Sequence, residues 1–179
     1  MKFLVVVDMQ EDFVNGVFGT DEAKNIIPYV NKCIQSPVYD YVIYTRDWHS
    51  PIDEHNNVEI RTLPPHCIAG TEGAYFVEDL IIRERAFLID KETFGATGLE
   101  DVILDKYLWM GEALDDLEIH LVGLCTDICV ISNALALRMW FPTARIVVNA
   151  SGCAGTTPEK HLAALEIMKS NLIEVEYDV

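Results

Sequence analysis

The sequence is short of basic residues, of glycine and proline, and of cysteines at a recognisable spacing. Its 179 residues carry 13 Lys+Arg against 29 Asp+Glu, a formal charge of −16. A surface that negative repels phosphate backbones and anionic headgroups, which argues against nucleic acid and membrane surfaces as partners. Only 10 Gly and 7 Pro occur in a chain that is 50% hydrophobic, which excludes a disordered or collagen-like chain. No apolar run reaches the ~18–20 residues of a membrane helix. The opening MKFLVVVDMQ lacks the long apolar region and small-residue cleavage site of a signal peptide, so a cytoplasmic start at Met1 is expected. The five cysteines, at 33, 67, 125, 129 and 153, are odd in number and contain no C-x-x-C. They make no disulfide framework and suit a reducing compartment. Repeats, low-complexity stretches and linkers are also missing, and the length suits one domain over 1–179.

What the sequence does have is apolar β-branched runs alternating with amphipathic stretches. That pattern predicts an α/β fold: a three-layer α/β/α domain around a six-stranded, mostly parallel sheet. Strands are expected at Lys2–Val7, Tyr41–Thr45, Ala86–Ile89, Leu117–Val122, Arg145–Asn149 and Ile173–Tyr177. Helices are expected at Asp21–Ile34, with Pro28 as a kink or late start, and at Leu99–Met110, Asp127–Trp140 and Thr157–Lys169. Thr157 is the N-cap of the last, with Pro158 at its first position. Residues 47–76 hold three of the five histidines and three of the seven prolines and form a long ordered loop, a kind of segment that is often functional.

Ligands of open parallel sheets sit at the carboxyl ends of strands. Asp8, Arg46–His49, Asp90–Lys91 and Cys125–Cys129 occupy four such ends. Each has an ordinary explanation alone: a solvated strand end, a surface lysine, a small buried thiol. Together a carboxylate, an ammonium and a thiol stand on one rim. The carboxylate can take the thiol proton and the cation can lower the thiol pKa, which suits amide or ester cleavage through a thioester. Thr126 or Asp127 can cap the helix that follows, placing Cys129 in its first turn. The free N–H groups and dipole there favour a thiolate and can hold an oxyanion.

His49, His55 and His66 fall in the long loop, and Asp47-Trp-His49 places two ligand-type side chains on one side of an extended segment. Asp47, His49, His55 and His66 make a common first shell for one divalent ion: Zn most readily, Fe or Mn also. Cys67 adjoins His66, but adjacent side chains of an extended chain point apart. His120 and His161 lack such company and are expected to be structural or solvated.

These segments resemble the isochorismatase-like cysteine hydrolases, specifically their nicotinamidase branch. The resemblance rests on Val7-Asp-Met-Gln-Glu-Asp-Phe13; on Asp47-Trp-His-Ser-Pro51 with His55, Pro64-Pro-His-Cys67 and Gly70-Thr-Glu-Gly73; on Asp90-Lys91; and on Gly123-Leu-Cys-Thr-Asp-Ile-Cys-Val130. It implies the isochorismatase-like fold and catalytic roles for Asp8, Lys91 and Cys129. It implies an oxyanion hole from the N–H groups of Cys125 and Cys129, and a non-proline cis peptide between Leu124 and Cys125. Phe13 and Leu124 would line the substrate site. The implied reaction is metal-dependent hydrolysis of nicotinamide to nicotinate and ammonia through a thioester on Cys129, in an enzyme that self-associates. The alternative within the superfamily is another small amide, carbamoyl or ureido compound. Two segments depart from the branch: Leu63 replaces the tryptophan usual before Pro-x-His-Cys, and Glu92-Thr-Phe-Gly-Ala96 replaces an aromatic-Ser-Ala pattern.

Overall fold

The computed structural model describes residues 1–51, 57–110 and 116–177. Its strands are β1 (Lys2–Val7), β2 (Tyr41–Asp47), β3 (Phe87–Lys91), β4 (Glu118–Leu124), β5 (Arg145–Ala154) and β6 (Glu174–Glu176). They form one sheet in the order β3-β2-β1-β4-β5-β6, and every pair is parallel. The helices are α1 (Glu11–Val14), α2 (Asp21–Asn25), α3 (Ile27–Gln35), α4 (Val58–Thr62), α5 (Leu99–Met110), α6 (Ile131–Trp140) and α7 (Pro158–Ser170).

Both faces of the sheet are covered, which is why β1 is apolar without alternation. Phe3, Val5 and Val7 pack into one core with Leu99, Ile103, Leu137, Leu165 and Met168 of α5, α6 and α7. Leu4 and Val6 pack into the other with Phe13, Val30 and Ile34 of α1 and α3. The expected three layers are therefore present.

Strand order reverses between β1 and β4, so the crevice of this sheet opens at their carboxyl ends. Gly123 makes the close approach there possible. Its φ is 120°, and a Cβ at this position would run into the backbone of Val7 on the neighbouring strand.

Three predicted elements differ from the structure in kind, and β5 runs five residues past its expected end at Asn149. Asp21–Ile34 is two helices, because Pro28 lacks the N–H needed to continue a helix and sits instead in the first turn of α3. The helix expected from Asp127 opens as a π turn over Thr126–Val130 and becomes α-helical only at Ile131. The segment 47–76 holds α4 and a 3₁₀ turn at Glu72–Ala74, and single bridges pair Gln10 with Phe76 and His49 with Ile68.

Candidate active site

Asp8, Lys91 and Cys129 arrive at one point from the ends of β1, β3 and β4. Lys91 Nζ lies 2.8 Å from Asp8 Oδ2 and 3.6 Å from Cys129 Sγ, and it also pairs with Asp47. All four side chains are buried. Asp8 turns through a positive φ of 48°, accepts a 2.6 Å bond from Thr45 Oγ1, and is thereby fixed toward the lysine. The lysine has a third anchor, donating to the carbonyl of Thr93 at 3.1 Å.

The charges sort by burial. Burial raises the Asp8 carboxyl above its ordinary value even though Lys91 opposes it. Burial would lower Lys91, but Asp8 and its neighbours outweigh it and keep the ammonium charged. Burial, then the Asp8 charge, lifts the Cys129 thiol well above its ordinary value. Burial thus opposes the thiolate that a helix start and the nearby cation favour.

The π turn sets the backbone around Cys129. The carbonyl of Cys125 accepts from Ile128 N at 3.0 Å and from Val130 N at 3.1 Å, passing over the N–H of Cys129. The Leu124–Cys125 peptide is cis. Neither Thr126 nor Asp127 caps the turn. Asp127 instead accepts from Thr156 N and Oγ1 at 2.7 and 2.6 Å, and Thr126 Oγ1 pairs with His161 Nδ1 at 2.8 Å. The segment that carries Cys129 is thus tied to the N-terminus of α7. Leu124 is buried and Cys125 half-buried at this turn. Burial pushes the Cys125 thiol up to about 12.

Beside this cluster stand Asp47, His49, Glu59 and His66, all buried. His49 Nε2 is 3.4 Å from Asp47 Oδ2 and 3.7 Å from Glu59 Oε1; His66 Nε2 is 3.7 and 3.2 Å from the same oxygens. Ligand bonds of ~2.0–2.1 Å in a tetrahedral zinc site imply about 3.4 Å between ligand atoms, so these four fit one ion. Asp47 Oδ2 and His49 Nε2 are buried without a hydrogen bond, a costly state that a cation would relieve. Two imidazoles and two carboxylates suit Zn²⁺, Fe²⁺ or Mn²⁺. His55 lies outside the described residues. Asp47 joins the two clusters: one oxygen faces Lys91 and the other the histidines.

Two residues that sequence reasoning missed hold this arrangement. Glu59 is one of 29 acidic residues, and its only signal is position, two residues after Asn57, which accepts its N–H at 2.9 Å at the start of α4. Gln10 bonds Asp47 in both directions at 2.7 Å and donates to Ala74 O at 2.8 Å, clamping the long loop to β1. Phe13 lies 5.7 Å from His66 and stacks on Phe18, whose ring meets His66 edge-on at 5.0 Å. Cys67 stays out of the metal cluster: its thiol points at Gly73 O, 3.7 Å away, and its N–H bonds Asp12. His120 bonds Glu118 and Tyr39, as a structural histidine does.

Comparison with known proteins agrees with this geometry. The chain is 31% identical to the nicotinamidase/pyrazinamidase of Mycobacterium tuberculosis, over 98% of each chain. It is 27% identical to the nicotinamidase of Schizosaccharomyces pombe, over 96% of this chain and 91% of the relative. The crystal structure of the pyrazinamidase of Pyrococcus horikoshii in complex with zinc superimposes with a TM-score of 0.82 at 27% identity, covering 99% of both chains. The family model of the isochorismatase domain matches residues 2–176, and the chain belongs to the isochorismatase family.

Proposed function

We propose that the protein is a metal-dependent cysteine amidohydrolase that converts nicotinamide to nicotinate and ammonia. The observation that carries this reading is the Cys129 thiol set 3.6 Å from the Lys91 ammonium, which itself pairs with Asp8, one carboxylate away from a buried cluster fit for a divalent ion. The relatives support the substrate.

The residues divide the chemistry as follows. Asp8, whose buried carboxylate holds a proton well, takes the proton of Cys129. Lys91 stays charged and balances the resulting anions. The thiolate attacks the carboxamide carbon and the carbonyl oxygen becomes an oxyanion. The N–H groups of Cys125 and Cys129 hold it, an effect of about 3 kcal/mol per donor in comparable sites. Asp8 gives its proton to the departing nitrogen, which leaves as ammonia, and a thioester remains on Cys129. Asp8 then takes a proton from water, whose oxygen attacks the thioester and frees the acid and the thiol. A divalent ion held by Asp47, His49, Glu59 and His66 would supply a Lewis-acid anchor for a ring nitrogen, orienting the amide. Phe13 and Phe18 flank that cluster and offer apolar ring surface where Leu63 offers no aromatic one.

The test is ammonia release by purified protein, with metal removed and then Zn²⁺, Fe²⁺ or Mn²⁺ restored. Equal amounts of nicotinate and ammonia, lost with the metal and regained with it, are expected. Release from carbamoyl or ureido compounds but not from nicotinamide would favour the other branch of the superfamily.

A further inference from the structure

The mechanism uses Asp8, Lys91 and Cys129 but does not say what keeps the lysine and the sulfur at their spacing. They come from different strands, and neither β3 nor the π turn touches the other through backbone pairing. A buried carboxamide closes that gap. Asn133 sits on α6 in the apolar run Ile131–Leu137 and is 0% exposed. A polar side chain at such a site is costly unless its hydrogen-bonding capacity is met.

That capacity is met at both ends of the amide. Oδ1 accepts from Ala96 N at 2.8 Å, and Nδ2 donates to Cys129 O at 2.8 Å and to Phe94 O at 3.4 Å. The orientation of the amide is fixed by this set, since an N–H faces one end and two carbonyls the other. Segment 93–96 follows Lys91, and its Thr93 carbonyl is one of the three anchors of Nζ. One side chain therefore grips the segment that seats the ammonium and the main chain of the thiol residue. The segment is also the one whose sequence departs from the family pattern.

We propose that Asn133 is a positioning residue that sets the Lys91–Cys129 separation by bridging segment 94–96 to the carbonyl of Cys129. The proposal rests on the reading of Cys129 as nucleophile and Lys91 as its partner. Without the bridge, Ala96 N–H and Cys129 O lose their partner, segment 93–96 is released, and Nζ is left to Asp8 and Asp47. The thiol then loses its nearby cation while the metal cluster, which Asn133 does not touch, is unchanged.

The experiment compares the parent with Asn133→Leu, which keeps the shape and removes all three bonds, and with Asn149→Leu as a control. Asn149 is another buried amide, bonded to the Tyr39 hydroxyl at 3.4 Å away from the site. Four quantities are read: the rate of Cys129 alkylation by iodoacetamide, located by peptide mapping; kcat and KM for nicotinamide; the metal-to-protein ratio; and Tm. Asn133→Leu should slow alkylation and reduce kcat by tenfold or more, with KM within twofold and the metal ratio unchanged. Asn149→Leu should lower Tm with alkylation unchanged. Alkylation and kcat both within twofold of the parent in folded Asn133→Leu would overturn the proposal. If that variant does not fold, Asn133→Ser carries the same comparison, and loss of the fold in both would assign Asn133 to the core and overturn it as well. A parent that releases no ammonia from nicotinamide would defeat the functional reading, while the alkylation rates would still decide the role of Asn133.

Discussion

Single side chains do two jobs in this site, and Asp47 shows it best. One of its oxygens pairs with Lys91 while the other lies 3.4 Å from His49 Nε2. Replacing it by Asn removes a charge from both clusters at once, so Asp47→Asn should lose metal and activity together, read by metal analysis and ammonia release. Among the described residues, the Glu59 carboxylate pairs with His49 and His66. Glu59→Gln should lower metal content but leave the alkylation rate of Cys129 within twofold of the parent. Away from the site, Glu118 gives a pH test. Burial opposes its charge, but bonds from His120 and Lys2 hold its carboxyl down at about 2. A depressed folded-state pKa adds stability above the unfolded value near 4.5, and that stability is lost as pH falls toward 2. Glu118→Gln should therefore lower Tm at neutral pH, with the difference shrinking below about pH 4.5. Much of the residue scale was legible in the sequence. Asp8, Lys91 and Cys129 stand at strand ends that any parallel sheet exposes on one rim. Glu59, Gln10 and Asn133 were not legible, because their roles depend on burial, and a Glu, Gln or Asn in a sequence does not say that it is buried.

At the scale of elements, the site depends on how strands end. The carboxyl ends of β1 and β4 meet where strand order reverses, and Gly123 lets their backbones approach. Gly123→Ala should disrupt this junction, and the measure is loss of activity accompanied by a lowered Tm. α7 supports the segment that carries Cys129 through His161 and through the turn that Asp127 binds. Its N-cap Thr157 accepts from Lys160 N at 3.2 Å. Thr157→Ala should cost about 1 kcal/mol in denaturant unfolding. Periodicity located β1, α5 and α7 within a residue or two. It could not separate a π turn from the first turn of an α-helix, since five residues are too few for the spacing of apolar positions to tell the two apart. Nor could it choose between a kink and a break at Pro28.

For the whole molecule, the doubly covered sheet makes the rim rigid enough to bring four distant segments into register. The fold class was legible because both-sided burial leaves unbroken apolar runs such as Phe3–Val7, all 0% exposed. The long segment 47–76 was less so, because it is organised by Gln10, Asp12 and the bridge from His49 to Ile68 rather than by its own periodicity. Among the described residues no helix is long and apolar enough to cross a membrane. A cation held by Asp47, His49, Glu59 and His66 would stabilise only the folded state. Chelation should therefore lower Tm, and restoring the metal should raise it again.

The most direct measurement is ammonia release from nicotinamide by Cys129→Ala protein whose metal content matches that of the parent. No release above the enzyme-free rate is expected, because Cys129 is the thiol that Lys91 contacts, at 3.6 Å, and the acyl link forms on it. Turnover approaching that of the parent would contradict the account.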